Sequence, residues 1–312
     1  MRVEPEISIV IPIFNEEAVI PELFQRLQAV MEGVGRRFEI VFVDDGSRDR
    51  SFVLLEEIHR AHPETTRVVA LSRNFGHQLA LTAGLRFCRG RAAVVMDADL
   101  QDPPEVIPEF LRYWEEGYQI VYGVRTERQG ETLFKKATAR WFYKLIRAAT
   151  SFDIPENAGD FYLLDRKVID VLNALKERHR FLRGLIAWTG YRRKAVAYTR
   201  HPRRAGRTKY SLWKMLTFSW DAMTSFSFAP LRFVSWMGGV FAAGAFVYII
   251  IVIYQKLFTD TTIVGWASLM AVILFLGGVQ LLSIGLIGEY IARIGDDVKA
   301  RPLYAVREVL GE

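Results

Sequence analysis

Short apolar runs alternate with amphipathic stretches over the first hundred residues. ISIVIPI (7–13), FEIVFV (38–43), TRVVAL (66–71) and AAVVM (92–96) are short, apolar and rich in β-branched residues. Each therefore predicts a buried strand. The intervening segments carry helical spacing: Leu23 and Leu27 share a face, and SFVLLEEIHRAH and HQLALTAGLRFC follow the second and third strands. Asn15 is expected to cap the first helix, with Glu16 and Glu17 in its first turn. This alternation predicts an α/β domain, a mostly parallel sheet with helices on both faces. Ligands of such sheets sit beyond the carboxyl ends of the strands. The polar residues at those ends are Asn15 and Glu16, Asp44 and Asp45, Arg73 and Asn74, and Asp97 and Asp99.

The pattern weakens after about residue 124. ETLFKKATARWFYKLI reads as a basic helix, NAGDFYLLDRKVIDVL as a turn, strand and helix, and YRRKAVAY as a strand. HPRRAGRTKY is a basic loop, and residues 211–228 mix aromatics with few charges, as a helix lying in a membrane interface does. Phe233 to Gln255 and Ile263 to Gly288 then contain no charged residue. Each run exceeds the roughly 20 residues a helix needs to cross a bilayer. The chain is expected to divide into a catalytic-sized domain (1–210), a juxtamembrane amphipathic segment (211–232), two spans (233–255 and 263–288) and a C-terminal tail (289–312).

Charge sets an expected orientation. Arg200 to Lys209, Lys214 and Arg232 precede the first span, and Arg293, Lys299, Arg301 and Arg307 follow the second, while the linker holds one basic residue, Lys256. The positive-inside bias puts the large domain and both termini in the cytoplasm. The first ~30 residues lack the layout of a signal peptide. A single cysteine, Cys88, excludes an intrachain disulfide and a cysteine-built zinc site, and fits a reducing compartment. The net charge of +6 suggests anionic partners. Nucleic acid is disfavoured because the basic residues gather beside the apolar spans. Neither GxxxxGK[ST] nor GxGxxG after a strand is present.

The fourth strand runs into MDADLQDPPE. In extended chain, residues i and i+2 point the same way, so Asp97 and Asp99 present their carboxylates together. A hard divalent cation, Mg²⁺ or Mn²⁺, would relieve their repulsion and leave positions for phosphate oxygens. The competing reading of a D-x-D followed by prolines is a solvated turn. In VDDGSRDRS, Gly46 permits a tight turn and Ser47, Asp49 or Ser51 can cap the next helix, which leaves the doubled aspartates to account for. Arg200, Arg203, Arg204, Arg207 and Lys209 suit either anionic lipid or a diphosphate. Arg125, Arg128, Lys135, Lys136 and Arg140 could receive another phosphate, or form a solvated helix face. The histidines His59, His62, His77, His179 and His201 show no metal spacing and read as structural or surface groups.

Taken together these segments resemble the family-2 glycosyltransferases of GT-A fold, and more narrowly the polyprenyl-phosphate glycosyltransferases. The resemblance is carried by SIVIPIFNEE, VDDGSRDRS, LSRNFGHQLALTAGL, MDADLQDPPE, YGVRTERQGE, NAGDFYLLDR, AGRTKYSLWKM and GLIGEYIARIGDDVKARPLY, and so covers nearly the whole chain. It implies a Rossmann-like catalytic domain followed by an interface helix and a two-helix transmembrane hairpin. It also implies that Pro12, Phe14, Asn15 and Glu16 border a nucleotide, with Phe14 standing where relatives often carry tyrosine. Asp45 would hold the uracil or ribose side. Asp97, Asp99 and Gln101 would bind Mg²⁺ or Mn²⁺ and, through it, the donor diphosphate, with Asp99 counted among the catalytic groups. Arg125 and Arg140 would receive the acceptor phosphate. Asp160 stands where relatives place an acidic residue proposed as base, and Arg204, Arg207 and Lys209 would close over the diphosphate.

The implied reaction moves a hexose, best matched by glucose from UDP-glucose, onto undecaprenyl phosphate at the cytoplasmic membrane face. The implied partners are a UDP-sugar, the polyprenyl lipid, the membrane and further copies of the chain. Aminoarabinose, N-acetylglucosamine or GDP-mannose donors fit the same frame. A processive polysaccharide synthase fits worse, because Ala137 stands where its Q-x-x-R-W motif needs glutamine before Arg140 and Trp141. A non-catalytic membrane adaptor is the remaining alternative.

Overall fold

A computed structural model describes residues 4–125, 158–178, 180–199, 229–258 and 265–311. Within them the strands are β1 (Ile7–Ile13), β2 (Phe38–Asp44), β3 (Thr66–Leu71), β4 (Ala92–Val95), β5 (Ile120–Arg125), β6 (Ala158–Asp165), β7 (Arg193–Tyr198) and β8 (Val306–Leu310). The helices are α1 (Ile20–Val34), α2 (Ser51–Ala61), α3 (His77–Phe87), α4 (Ile107–Glu115), α5 (Arg166–Ala174), α6 (Leu182–Trp188), α7 (Ala229–Phe258) and α8 (Trp266–Val298), with a short 3₁₀ turn at Pro104–Val106. The chain forms two compact units, one from residues 1–215 together with 301–312, the other from 216–300.

The first unit is built on one sheet in the order β7-β5-β6-β4-β1-β2-β3-β8. Strands β1 to β4 pair parallel, and β6 and β8 run against their neighbours. This is the mixed, mostly parallel GT-A-type sheet that the resemblance implies. The first three strands step outward in one direction, while β4 lies on the other side of β1. The carboxyl ends of β1 and β4 therefore flank a topological switch point, where open α/β sheets leave a crevice.

Both faces of the sheet are covered, so β1 is buried at every position. Helices α1, α2 and α4 pack on the face of Ile9, Ile11, Phe42 and Val94. Helix α3 covers the other face with small residues, and a Cβ at Gly84 would sit 2.2 Å from Val10 Cγ1. Only glycine lets α3 approach so closely, and a bulkier residue would lift it off the sheet. Pro12 is tolerated within β1 for a local reason. Val10 O accepts from Met96 N, so the backbone of Val10 and of Pro12, two residues on, faces β4. β4 has ended by that point, and no ladder bond is lost.

Two details differ from the sequence-based expectations. α1 begins at Ile20 with Val19 as N-cap, so Asn15 does not cap it. Asn15 instead takes a left-handed conformation, φ 55°, which asparagine tolerates, and binds the loop after β2. The end of the chain is also more than a tail: Val306–Leu310 pairs antiparallel with β3, and Ser72 N donates to Ala305 O.

The second unit holds α7 and α8, 30 and 33 residues long. At ~1.5 Å per residue each outreaches a hydrocarbon core roughly 30 Å thick. The candidate spans Phe233–Gln255 and Phe275–Val298, the second ending in charged residues, are not buried within the protein. The rings of Phe241 and Phe275 meet at 5.4 Å and join the two helices. Exposed leucines, isoleucines and phenylalanines over such lengths suit lipid as surroundings, which makes both helices candidate membrane spans. α8 continues as helix past the apolar run, where Arg293 pairs with Glu289 one turn earlier.

Candidate active site

The loops after β1 and β2 are tied together. Asn15 N donates to Ser47 Oγ at 3.0 Å, Arg48 N to Asn15 Oδ1 at 2.8 Å, Glu16 N to Ser51 Oγ at 2.9 Å and Arg50 N to Glu17 Oε2 at 2.9 Å. Gly46 at φ 69° makes the bend, and a Cβ there would lie 2.5 Å from the carbonyl carbon of Arg73. Asp45 is buried at the end of β2 and spans to the next loop. Its two oxygens accept from Phe75 N at 2.7 Å and Gly76 N at 2.9 Å. Burial pushes the Asp45 carboxyl up from its ordinary range, against these two bonds. Pro12 is buried, Phe14 and Glu16 are half-buried and Asn15 is exposed, so a rim of mixed polarity surrounds the end of β1.

Asp97 and Asp99 follow β4 as expected, half-buried and alternating with buried Ala98 and Leu100. The turn is strained, with Leu100 at φ 55°, a conformation rare for leucine. Gln101 N donates to Asp99 Oδ1 at 3.1 Å, and the Gln101 side chain is buried. Asp102 is fully buried, so the solvated-turn reading does not apply to it. It accepts from the Tyr198 hydroxyl, and Arg125 Nη2 stands 3.9 Å from its second oxygen. Arg125 closes β5 and packs over Gly159, where a Cβ would meet its guanidinium at 2.5 Å.

Asp160 lies on β6, buried and facing α3. Arg183 Nε donates to its Oδ1 at 2.7 Å, while His77 Nε2 lies 3.1 Å and Gln78 Nε2 3.4 Å from its Oδ2. The same His77 nitrogen lies 3.5 Å from Asp97 Oδ1. One imidazole thus joins Asp160 to the carboxylate pair, a link the histidine's sequence context concealed. Tyr162, two residues along β6, has a buried hydroxyl with no hydrogen-bond partner among the described residues.

The charges in this cluster set its proton affinities. Burial raises the Asp97 carboxyl to about 6, with Asp160, Asp102 and Asp99 adding to the rise and His77 opposing it. For Asp160 burial also opposes ionisation, but the Arg183 charge and the bonds from His77 and Arg183 outweigh it and hold the carboxyl well below its usual range. Burial works against a charged His77, yet the Asp160 bond and the Asp97 charge lift its pKa above the ordinary value.

The residues fit a divalent cation. Asp97 resists ionisation because it is buried, and nearby carboxylates add to the effect; a hard cation held by carboxylate oxygens would offset that penalty. Among the described residues no group of three His, Cys, Asp or Glu side chains is assembled for a metal. Arg140, Arg204, Arg207, Lys209 and the proposed interface helix at 211–228 lie outside the described residues.

The glycosyl transferase family 2 model matches residues 8–172, and a GtrB C-terminal hairpin model matches residues 229–294. The chain is 51% identical over 304 residues to YkcC of Bacillus subtilis, named an uncharacterized glycosyltransferase, covering 97% of this chain and 94% of that one. It is 39% identical over 306 residues to a prophage bactoprenol glucosyl transferase homolog of Escherichia coli, covering 97% and 99%. It is 40% identical over 305 residues to an SfII prophage-derived bactoprenol glucosyl transferase of Shigella flexneri, covering 97% and 98%. Among solved structures, glucosyl-3-phosphoglycerate synthase of Mycobacterium tuberculosis superposes with a TM-score of 0.45 at 22% identity, covering 69% of this chain and 76% of that one.

Proposed function

The chain belongs to glycosyl transferase family 2, and from that premise we propose that it is an inverting transferase that moves glucose from UDP-glucose onto undecaprenyl phosphate at the cytoplasmic face of a membrane. One observation carries the reading: a single chain joins a carboxylate pair at the sheet's switch point to a hairpin of two lipid-suited helices. The near full-length likeness to bactoprenol glucosyl transferases supports the same acceptor class and favours glucose over aminoarabinose, N-acetylglucosamine or mannose.

The chemistry follows from the residues. Phe14, Asn15, Glu16 and Asp45 border the nucleotide beyond β1 and β2. Asp97 and Asp99, with Gln101 beside them, would hold Mg²⁺ or Mn²⁺. When bound, that ion neutralises the charge developing on the departing diphosphate. An acceptor phosphate oxygen forms the bond to the sugar's C1, and the bond from C1 to the diphosphate oxygen breaks with its electron pair. The acceptor is already anionic near neutral pH, so no proton need be removed. Arg125 and Arg140 would orient that phosphate, and Arg204, Arg207 and Lys209 would close over the donor. Two spans would leave residues 1–232 and the C-terminal residues on the same membrane side, in keeping with the pairing of Val306–Leu310 with β3. Holding both reactants at the membrane surface contributes much of the rate.

The test is a transfer assay with purified full-length protein, undecaprenyl phosphate, Mg²⁺ or Mn²⁺ and labelled UDP-glucose beside the other three sugar nucleotides. Lipid-linked glucose is expected. No lipid-linked product from any donor would sink the reading, and nucleotide binding indifferent to a chelator would favour the adaptor.

Metal binding should depend on pH in a defined direction. The cation must displace the proton that Asp97 holds with a pKa of about 6. Mn²⁺ affinity of the nucleotide-free protein should level off above that pH and fall about tenfold per unit below it. Replacing His77 by asparagine removes the cation that opposes the rise, so the midpoint should move upward. Titration calorimetry from pH 5 to 8 reads both effects, and a flat profile would refute them.

A further inference from the structure

Arg183 was not among the residues that the sequence motifs singled out, yet it stands at the centre of the cluster. Its Nε–H donates to Asp160 at 2.7 Å. A guanidinium has five N–H donors in a planar fork, and among the described residues only the Nε–H of Arg183 is engaged, which leaves four on its two Nη atoms. The Arg183 side chain is 32% exposed and that of Asp160 only 7%, so an anion arriving from solvent meets the arginine rather than the carboxylate. Asp160 has both oxygens engaged, one by Arg183 and the other by His77 and Gln78. A carboxylate so committed has little call on a substrate proton.

Position supports the same assignment. Alternate residues of a strand face opposite sides. Phe161 packs with α4's Phe110, so its neighbour Asp160 faces α3, the side that carries His77 and, through it, Asp97. Arg183 is therefore reached from the carboxylate pair through one imidazole and one carboxylate. Arg125, packed over Gly159 and steadied by Tyr198 and Asp102, would share the acceptor phosphate with Arg183 rather than replace it.

We propose that Arg183 binds the acceptor's anionic phosphate, and that Asp160 is the positioning residue that holds its guanidinium by the Nε edge. This rests on the lipid-phosphate acceptor proposed above and assigns it a contact. Asp160 then leaves the role of base: it fixes a cation, and it cancels enough of that cation's charge for the arginine to sit half-buried beside the metal pair.

The experiment is titration calorimetry on the full-length protein in nanodiscs, with farnesyl phosphate and farnesol as probes and UDP with Mn²⁺ titrated separately. Wild type should bind the phosphate and not the alcohol. R183Q should bind farnesyl phosphate at least about tenfold more weakly, with UDP affinity within about twofold of wild type. R183K, which supplies charge without the fork, should fall between them. The double variant D160N/R183Q removes both buried charges, so it keeps the fold if R183Q alone does not. If the pair were only structural, this neutral pair would restore farnesyl phosphate binding; continued loss is expected. Wild-type affinity in the double variant, UDP affinity falling in step with acceptor affinity, or no binding of farnesyl phosphate by wild type would each overturn the proposal. A wild type that transfers no sugar yet binds the phosphate through Arg183 would refute the reaction and leave this contact standing.

Discussion

Asp97→Asn should lower kcat/KM for transfer by about 1000-fold, the loss of roughly 4 kcal/mol of transition-state stabilisation expected when a catalytic cation loses a carboxylate ligand. Asparagine has nearly the same shape and keeps one oxygen, so the change isolates charge. Mn²⁺ affinity should fall with the rate, and excess Mn²⁺ should recover only part of it. Stability should move the other way. Burial and three neighbouring aspartates raise this carboxyl to about 6, above its unfolded value of 3.8. Its raised pKa means that ionisation costs the fold stability above about pH 6 and costs nothing below pH 3.8. At neutral pH without metal, the asparagine variant should therefore melt no lower than wild type. A variant that melted lower and kept its rate would assign Asp97 to the scaffold.

The sequence made β1 to β4 and their helices legible because each strand is a short unbroken apolar run and each helix keeps its spacing. It made Asp97 and Asp99 legible because a period of two places them side by side at a strand's end. His77 and Arg183 were not legible. They meet Asp160 across 83 and 23 residues respectively, through β6, an antiparallel strand that no local pattern places beside β4. One signal was available: His77 follows Gly76 just after β3, at the same carboxyl edge that drew attention to Arg73 and Asn74. Asp102 was obscured by its context, since an aspartate before two prolines looks like a solvated turn. It is buried, and its partner, the Tyr198 hydroxyl, comes from 96 residues away. Asn15 resembled a helix cap because capping signals are local, whereas its actual partners are Ser47 and Arg48 in the next loop. The last strand escaped notice because its partner β3 lies on the far side of both long helices in sequence.

Asp45→Ala is expected to have the second-largest effect, and to reach beyond its own contacts. Asp45 is buried, and both oxygens hold backbone N–H groups of the loop leading into α3. Alanine removes two charge-assisted bonds and leaves the donors to find water, a loss of about 3 kcal/mol in unfolding free energy. The loop ends at His77, the first residue of α3 and the link between Asp97 and Asp160. Loosening it should therefore weaken UDP binding by at least about tenfold, and Mn²⁺ binding with it. Asp45→Asn keeps one acceptor oxygen and sheds the cost of burying a charge, so it should lose less stability than alanine. Chemical denaturation with titration of UDP and Mn²⁺ separates the outcomes. Lower stability with both affinities intact would make Asp45 a brace for the loop alone. Lower UDP affinity with Mn²⁺ affinity intact would make it a nucleotide contact without influence on the metal pair. Loss of all three is expected, because the loop held by Asp45 leads into the histidine that touches both acidic groups.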